Sequence, residues 1–87
     1  MMLLYDLEAD VAQVEIGEVP DGAIDHTEDV SRGPHYSRGI DRGKNGEILG
    51  YNFLLASQGI DLEGLPHQQE LAELFRRVTK IPVLGAA

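Results

Sequence analysis

The sequence predicts an α+β domain: a four- to five-stranded, mostly antiparallel sheet over residues 2–57, with one C-terminal amphipathic helix packed on one face. Three observations lead there. Residues 11–18 alternate, with Ala12, Val14 and Ile16 set against Gln13, Glu15 and Gly17, which is the period of a sheet with one wet face. Residues 36–57, YSRGIDRGKNGEILGYNFLLAS, read as a β-hairpin pivoting on Asn45-Gly46. Leu71, Leu74, Phe75 and Val78 recur at i, i+3, i+4 and i+7, the apolar stripe of a helix.

Taken in order, Leu3, Leu4 and Tyr5 suggest a short first strand, and the acidic stretch at 7–10 turns the chain into the alternating second strand. Val19-Pro20-Asp21-Gly22 is a turn, because proline presets φ and glycine follows where the chain must tighten. Residues 23–30 resume an extended pattern with neither side cleanly apolar, so that strand is expected to be partly exposed. Residues 31–34 break it, and the hairpin follows, with Gly43 placed to absorb a bulge and Asn45-Gly46 suited to a two-residue primed turn. Residues 58–65 carry two glycines and alternating acids, a loop leading off the sheet. The helix is expected over 66–79, with Pro66 in its first turn, where a missing N–H costs nothing. Glu70 and Glu73 precede Arg76 and Arg77 at spacings that add about 0.3 kcal/mol per pair on the wet face. The tail at 80–87 is unusually apolar for a terminus and calls for a cover, either its own domain or another chain.

Composition narrows the function classes. At 87 residues the chain is expected to be one domain with a thin core, since folding hides roughly 60–65% of the surface at this size. The absence of cysteine excludes disulfides, thiolate metal sites and cysteine nucleophiles, and fits a cytoplasmic protein. Residues 1–4 are too short an apolar stretch for a signal peptide, and no run approaches the length that spans a bilayer, so no membrane association is expected. The net charge of −8 is unevenly placed: residues 1–30 hold nine acids and no Lys or Arg, whereas residues 31–47 hold four bases against two acids. The two regions are expected to neutralise each other across neighbouring strands, or one of them to meet a charged partner.

With the elements laid out, YDLEAD at 5–10, AIDHTEDV at 23–30, Ile40-Asp41 and NGEILGYNFLLAS at 45–57 resemble, over residues 2–57, the small bacterial domain of unknown function 2283 family. Two departures stand out: Val11-Ala12-Gln13 replaces the family's usual aromatic, and the basic Arg42-Gly43-Lys44 replaces its acidic turn. The resemblance implies a compact, mostly antiparallel sheet with no catalytic residues to carry over. Some relatives are encoded beside small toxin-like proteins, which implies an antitoxin-like or regulatory binding role.

Candidate chemistry is sparse. Asp6, Glu8 and Asp10 begin like a calcium loop, but Val11 and Gly17 stand where that loop needs its glycine and its bidentate glutamate. His26, His35 and His67 lie in separate segments without ligand spacing, and no nucleophile elbow surrounds Ser31, Ser37 or Ser57. Arg32, Arg38, Arg42 and Lys44, with Tyr36 nearby, are the best case for a nucleic-acid backbone, yet the overall charge argues against that ligand. The leading expectation is a non-enzymatic domain that self-associates or binds a protein partner through Arg38, Arg42, Lys44, Phe75, Ile81, Val83 and Leu84, with no cofactor, metal or catalytic residue. The alternatives are an antitoxin-like acidic regulator of a basic nucleic-acid-acting protein and, further off, a small-molecule or metal-binding enzyme.

Overall fold

A computed structural model describes residues 1–33 and 36–85. Pro34 and His35, and Ala86 and Ala87 of the apolar tail, lie outside the described residues. In chain order the elements are β1 (Met2–Asp6), β2 (Val11–Glu15), β3 (His26–Asp29), β4 (Arg38–Arg42), β5 (Ile48–Leu54), a 3₁₀ turn (Ala56–Gln58), β6 (Ile60–Asp61), α1 (Gln68–Val78) and β7 (Val83–Leu84). The fold is α+β: five antiparallel strands in the order β1-β2-β5-β4-β3, with α1 against the sheet and a small parallel pair formed by β6 and β7.

The ladder register sorts the side chains into two faces, because directly paired residues point the same way. One row runs Leu3, Val14, Tyr51, Ile40, Glu28 on the helix side of the sheet, though Glu28 at its β3 end is exposed; the neighbouring row runs Leu4, Gln13, Asn52, Gly39, Asp29 and faces away from it. On the helix side, Val14, Tyr51 and Phe53 meet Leu71 and Phe75, all buried, with the Phe53 and Phe75 rings edge to face at 5.6 Å. That arrangement suits the ring quadrupoles as well as burying apolar area.

Several details depart from the sequence reading. The β4–β5 hairpin closes through three residues, not two: the Gly43 N–H donates to the Glu47 carbonyl at 3.0 Å and the Gly46 N–H to the Gly43 carbonyl at 3.0 Å. Gly46 alone takes a positive φ there, 79°, so the loop is an ordinary turn followed by one left-handed residue. Asn45 stays right-handed, and its N–H is taken by Oε1 of Glu47 at 3.1 Å. The bulge lies on β5 at Leu49, since the register steps from Asp41–Gly50 to Arg42–Ile48, and not at Gly43.

The helix starts at Gln68, later than Pro66, because His67 adopts a left-handed conformation and its carbonyl accepts the first helical N–H, from Leu71. Its buried residues are Leu71, Ala72, Leu74 and Phe75; Val78, one position before the extended Thr79, is exposed. Residues 58–65 do not lead off the sheet. They carry Ile60, Leu62 and Leu65 into the core, and β7 returns to pair with β6, the Ile60 N–H donating to Pro82 O at 2.8 Å and the Leu62 N–H to Leu84 O at 2.9 Å. Within the described part of the apolar tail, Ile81 and Val83 therefore pack on their own chain, with the Gln68 side-chain amide donating to the Gly85 carbonyl.

Candidate functional site

The seven residues singled out as partner contacts do not form one surface. Arg38 is buried beneath the β3–β4 connection, its Nε donating to Val30 O at 2.7 Å and its Nη1 to Asp61 O at 2.8 Å. Phe75 belongs to the core, because the stripe that identified the helix is the stripe that packs on the sheet. Both residues are corrected from surface to interior. Arg42 is half-buried, pairing through Nε with Glu28 Oε1 at 3.0 Å and donating from Nη1 to Gly46 O at 2.7 Å. Lys44 is exposed at the hairpin tip. Ile81 and Val83 pack partly against the core, and Leu84 is partly exposed at the β6–β7 pair.

The expected neutralisation between the acidic first third and the basic hairpin takes place at Arg42 and Glu28. The other arginines turn to an acid near the other end of the chain. Arg32 holds Asp61 at two points, Nε to Oδ2 at 2.8 Å and Nη2 to Oδ1 at 3.0 Å, and Arg38 Nη1 stands 3.8 Å from the same carboxylate. Burial pushes Asp61 toward protonation, but the Arg32 bonds, the Glu63 N–H and the two guanidinium charges outweigh it, and its carboxyl sits below the ordinary range. Burial pulls Arg38 below its usual value, against the attraction of the Asp61 carboxylate. No local sequence signal marks Asp61, because its partners come from a connection about thirty residues upstream, a separation that only the fold closes.

Asp6 and Asp10, flanking the first turn, are engaged within the chain. Asp6 Oδ1 caps the Ala9 N–H at 3.1 Å. Asp10, at φ 55°, accepts Tyr5 OH at 2.6 Å and the Ser57 N–H at 2.8 Å through Oδ1, and Ser57 Oγ at 2.6 Å through Oδ2, stitching the β1–β2 turn to the end of β5. These bonds, first that from the Ser57 hydroxyl, lower its pKa, so Asp10 is a poor base for activating Ser57. His26 meets Asp25 at 2.8 Å and His67 meets Tyr51 OH at 2.8 Å. Among the described residues, no three His, Cys, Asp or Glu side chains gather to hold a metal ion, and no helix is long and apolar enough to cross a membrane.

What remains is the sheet face that α1 leaves uncovered. Met2, Leu4 and Leu54 point from it at 51%, 47% and 47% exposure. By register it also bears Asp6, Glu15, Asp29 and Asp41, and no Lys or Arg among its paired positions. At its centre Asp41, itself buried, accepts Thr27 Oγ1 at 2.6 Å and Asn52 Nδ2 at 2.8 Å through one oxygen. Beside it Thr27, Asp29, Ser37, Arg38, Gly39, Asn52 and Leu54 line a shallow cleft of about 280 Å³, although the Arg38 guanidinium is turned to Val30 and Asp61. Gly39 keeps β3 close, since a Cβ there would lie 2.7 Å from Thr27 Cγ2. The wet side of β2 was legible from its alternation. That Met2, Leu4 and Leu54 share it follows only from the register.

Fold and face together define a small α+β domain with one sheet surface open to solvent. No protein family, curated protein or solved structure matches the chain, so the likeness to the domain of unknown function 2283 family rests on its motifs alone.

Proposed function

We propose that this protein is a non-enzymatic protein-interaction domain whose contact surface is the sheet face opposite α1. The observation that carries the reading is exposed Met2, Leu4 and Leu54 on one pleated face, interleaved with carboxylates and without a base. Apolar side chains gathered on one face, rimmed by polar groups, mark contact surfaces more often than bare solvent. The acids favour a basic protein over a second copy of the same acidic chain. An antitoxin-like regulator of a basic nucleic-acid-acting protein, the role that the family resemblance implies, draws on the same carboxylates.

Affinity capture from host lysate with the wild-type chain, Leu4→Lys and Leu54→Lys tests the reading. Wild type should retain a protein that both variants lose, with melting temperatures unchanged. Equal capture by all three chains sinks it. Light scattering of the chain with and without residues 81–87 addresses the self-associating form, which predicts an oligomer that truncation dissolves.

A further inference from the structure

Building on the contact-face reading above, we infer that the outer edge of β1 accepts an extended, basic segment of another protein as an additional antiparallel or parallel strand of the sheet. The sheet has two edges, β1 and β3. β3 is four residues long, wholly exposed, and carries Glu28 and Asp29 with Asp25 just before it. A short, charged edge of that kind resists strand addition. β1 is the opposite case. Its sequence MLLYD is apolar at four positions, holds no proline or lysine, and pairs with β2 through five consecutive residues without a bulge. Among the described residues no strand pairs with its outer side. A regular apolar edge is the template on which peptides add by main-chain hydrogen bonds, with alternate side chains setting specificity.

The charge layout selects the occupant. The face continuous with β1 bears Asp6, Glu15, Asp29 and Asp41, and Glu8 lies in the turn that follows β1. The arginines of the sheet point to the other face, where Arg42 is engaged by Glu28 and Arg38 by Val30 and Asp61. Two copies joined edge to edge would set two such faces side by side on chains of net charge −8, with no Lys or Arg at the paired positions of either face. A segment with Lys or Arg near Asp6 and Glu15 and an apolar residue across from Leu4 satisfies both the pleat and the charge.

The test uses the full ¹⁵N-labelled chain and a capped peptide Lys-Thr-Val-Thr-Lys, whose valine and two lysines share one face, opposite Leu4 and its alternate neighbours Asp6 and Met2, the last paired with Glu15. Amide shifts and slowed hydrogen exchange should be confined to Met2–Asp6 and its β2 partners. The counterpart with glutamate in place of both lysines should bind about tenfold more weakly, the effect of one or two cross-strand charge pairs. Binding should weaken between about 0.1 and 1 M salt, as the screening length falls from about 10 Å to about 3 Å. Methylating alternate peptide amides should abolish binding, and the charge-swapped chain Asp6→Lys/Glu15→Lys should prefer the glutamate peptide. Silence at β1, equal affinity for both peptides, or undiminished binding of the methylated peptide overturns the inference. If capture in the preceding experiment is lost in Leu54→Lys while the peptide leaves β1 silent, the contact face stands and the strand-addition inference alone fails.

Discussion

Arg32 grips Asp61 through two parallel hydrogen bonds, at 2.8 and 3.0 Å, tying the connection after β3 to β6. Asp61 is buried and Arg38 is buried beside it, so removing the carboxylate strands a cation. Asp61→Asn should destabilise by about 3 kcal/mol, the scale for breaking a buried pair from one side. For a domain this size that lowers the melting temperature by roughly 10–20 °C in calorimetry. Arg32→Ala should cost less, because half of that side chain is already in water.

The same carboxylate sets an acid limit. Its folded pKa lies below the ordinary 3.8, so the unfolded chain takes up the proton first as pH falls. Its contribution is complete above about pH 4 and is lost as pH drops through the lowered folded value. Denaturant melts from pH 5 to pH 2 should show a slope that Asp61→Asn flattens. An identical slope in the variant would assign acid sensitivity elsewhere.

Tyr51 bounds the alkaline side. Burial pushes its phenol up to about 12, against 10.0 for a free tyrosine, while its OH meets Pro66 O at 2.9 Å and His67 Nδ1 at 2.8 Å. Its stabilising contribution is full below pH 10 and disappears as pH rises through 12. Absorbance titration should contain a late tyrosine step near that pH, and Tyr51→Phe should remove it at a cost of about 1 kcal/mol.

Phe75 is a core residue, and its truncation should act on stability before binding. Phe75→Ala removes the ring packed on Phe53 and should cost about 4 kcal/mol, a large share of what a small domain holds. A variant that melted like wild type would contradict the packing described for α1.

The tail makes a residue-level prediction. Because the Ile60 and Leu62 N–H groups donate to Pro82 O and Leu84 O, a chain ending at residue 80 should lose exchange protection at those two amides first, with β2 and β5 affected less. Protection unchanged at Ile60 and Leu62 would count against the β6–β7 pair.

Much of the sheet was written locally. Ala12 and Val14 announce β2 by period two, and Gly46 announces the hairpin, although Glu47 capturing the Asn45 N–H shifts the turn to three residues. The helix stripe found Leu71, Leu74 and Phe75, but its fourth member Val78, the last helical residue, is exposed beside the extended Thr79. Residues 58–65 were misread because Ile60, Leu62 and Leu65 sit among glycines and acids, and their burial depends on β7 arriving from beyond the helix. The candidate face was half legible. Glu15 and Gln13 marked its wet side, while the mixture of Met2, Leu4 and Leu54 with unopposed acids exists only once three strands are in register.

The parallel pairing of β6 with β7 also orders events in time. Ile60 is held by a residue that is synthesised only after the whole of α1, so the nascent chain carries a finished hairpin sheet and an open apolar flank until Val83 and Leu84 leave the ribosomal tunnel. Over that interval Ile60 and Leu62 lack their partners from the β7 segment and are surface available to a chaperone. Force-sensitive arrest sequences placed at successive points after β5 should register a late pulling event tied to the emergence of β7, and a single early event would place closure of the core before it.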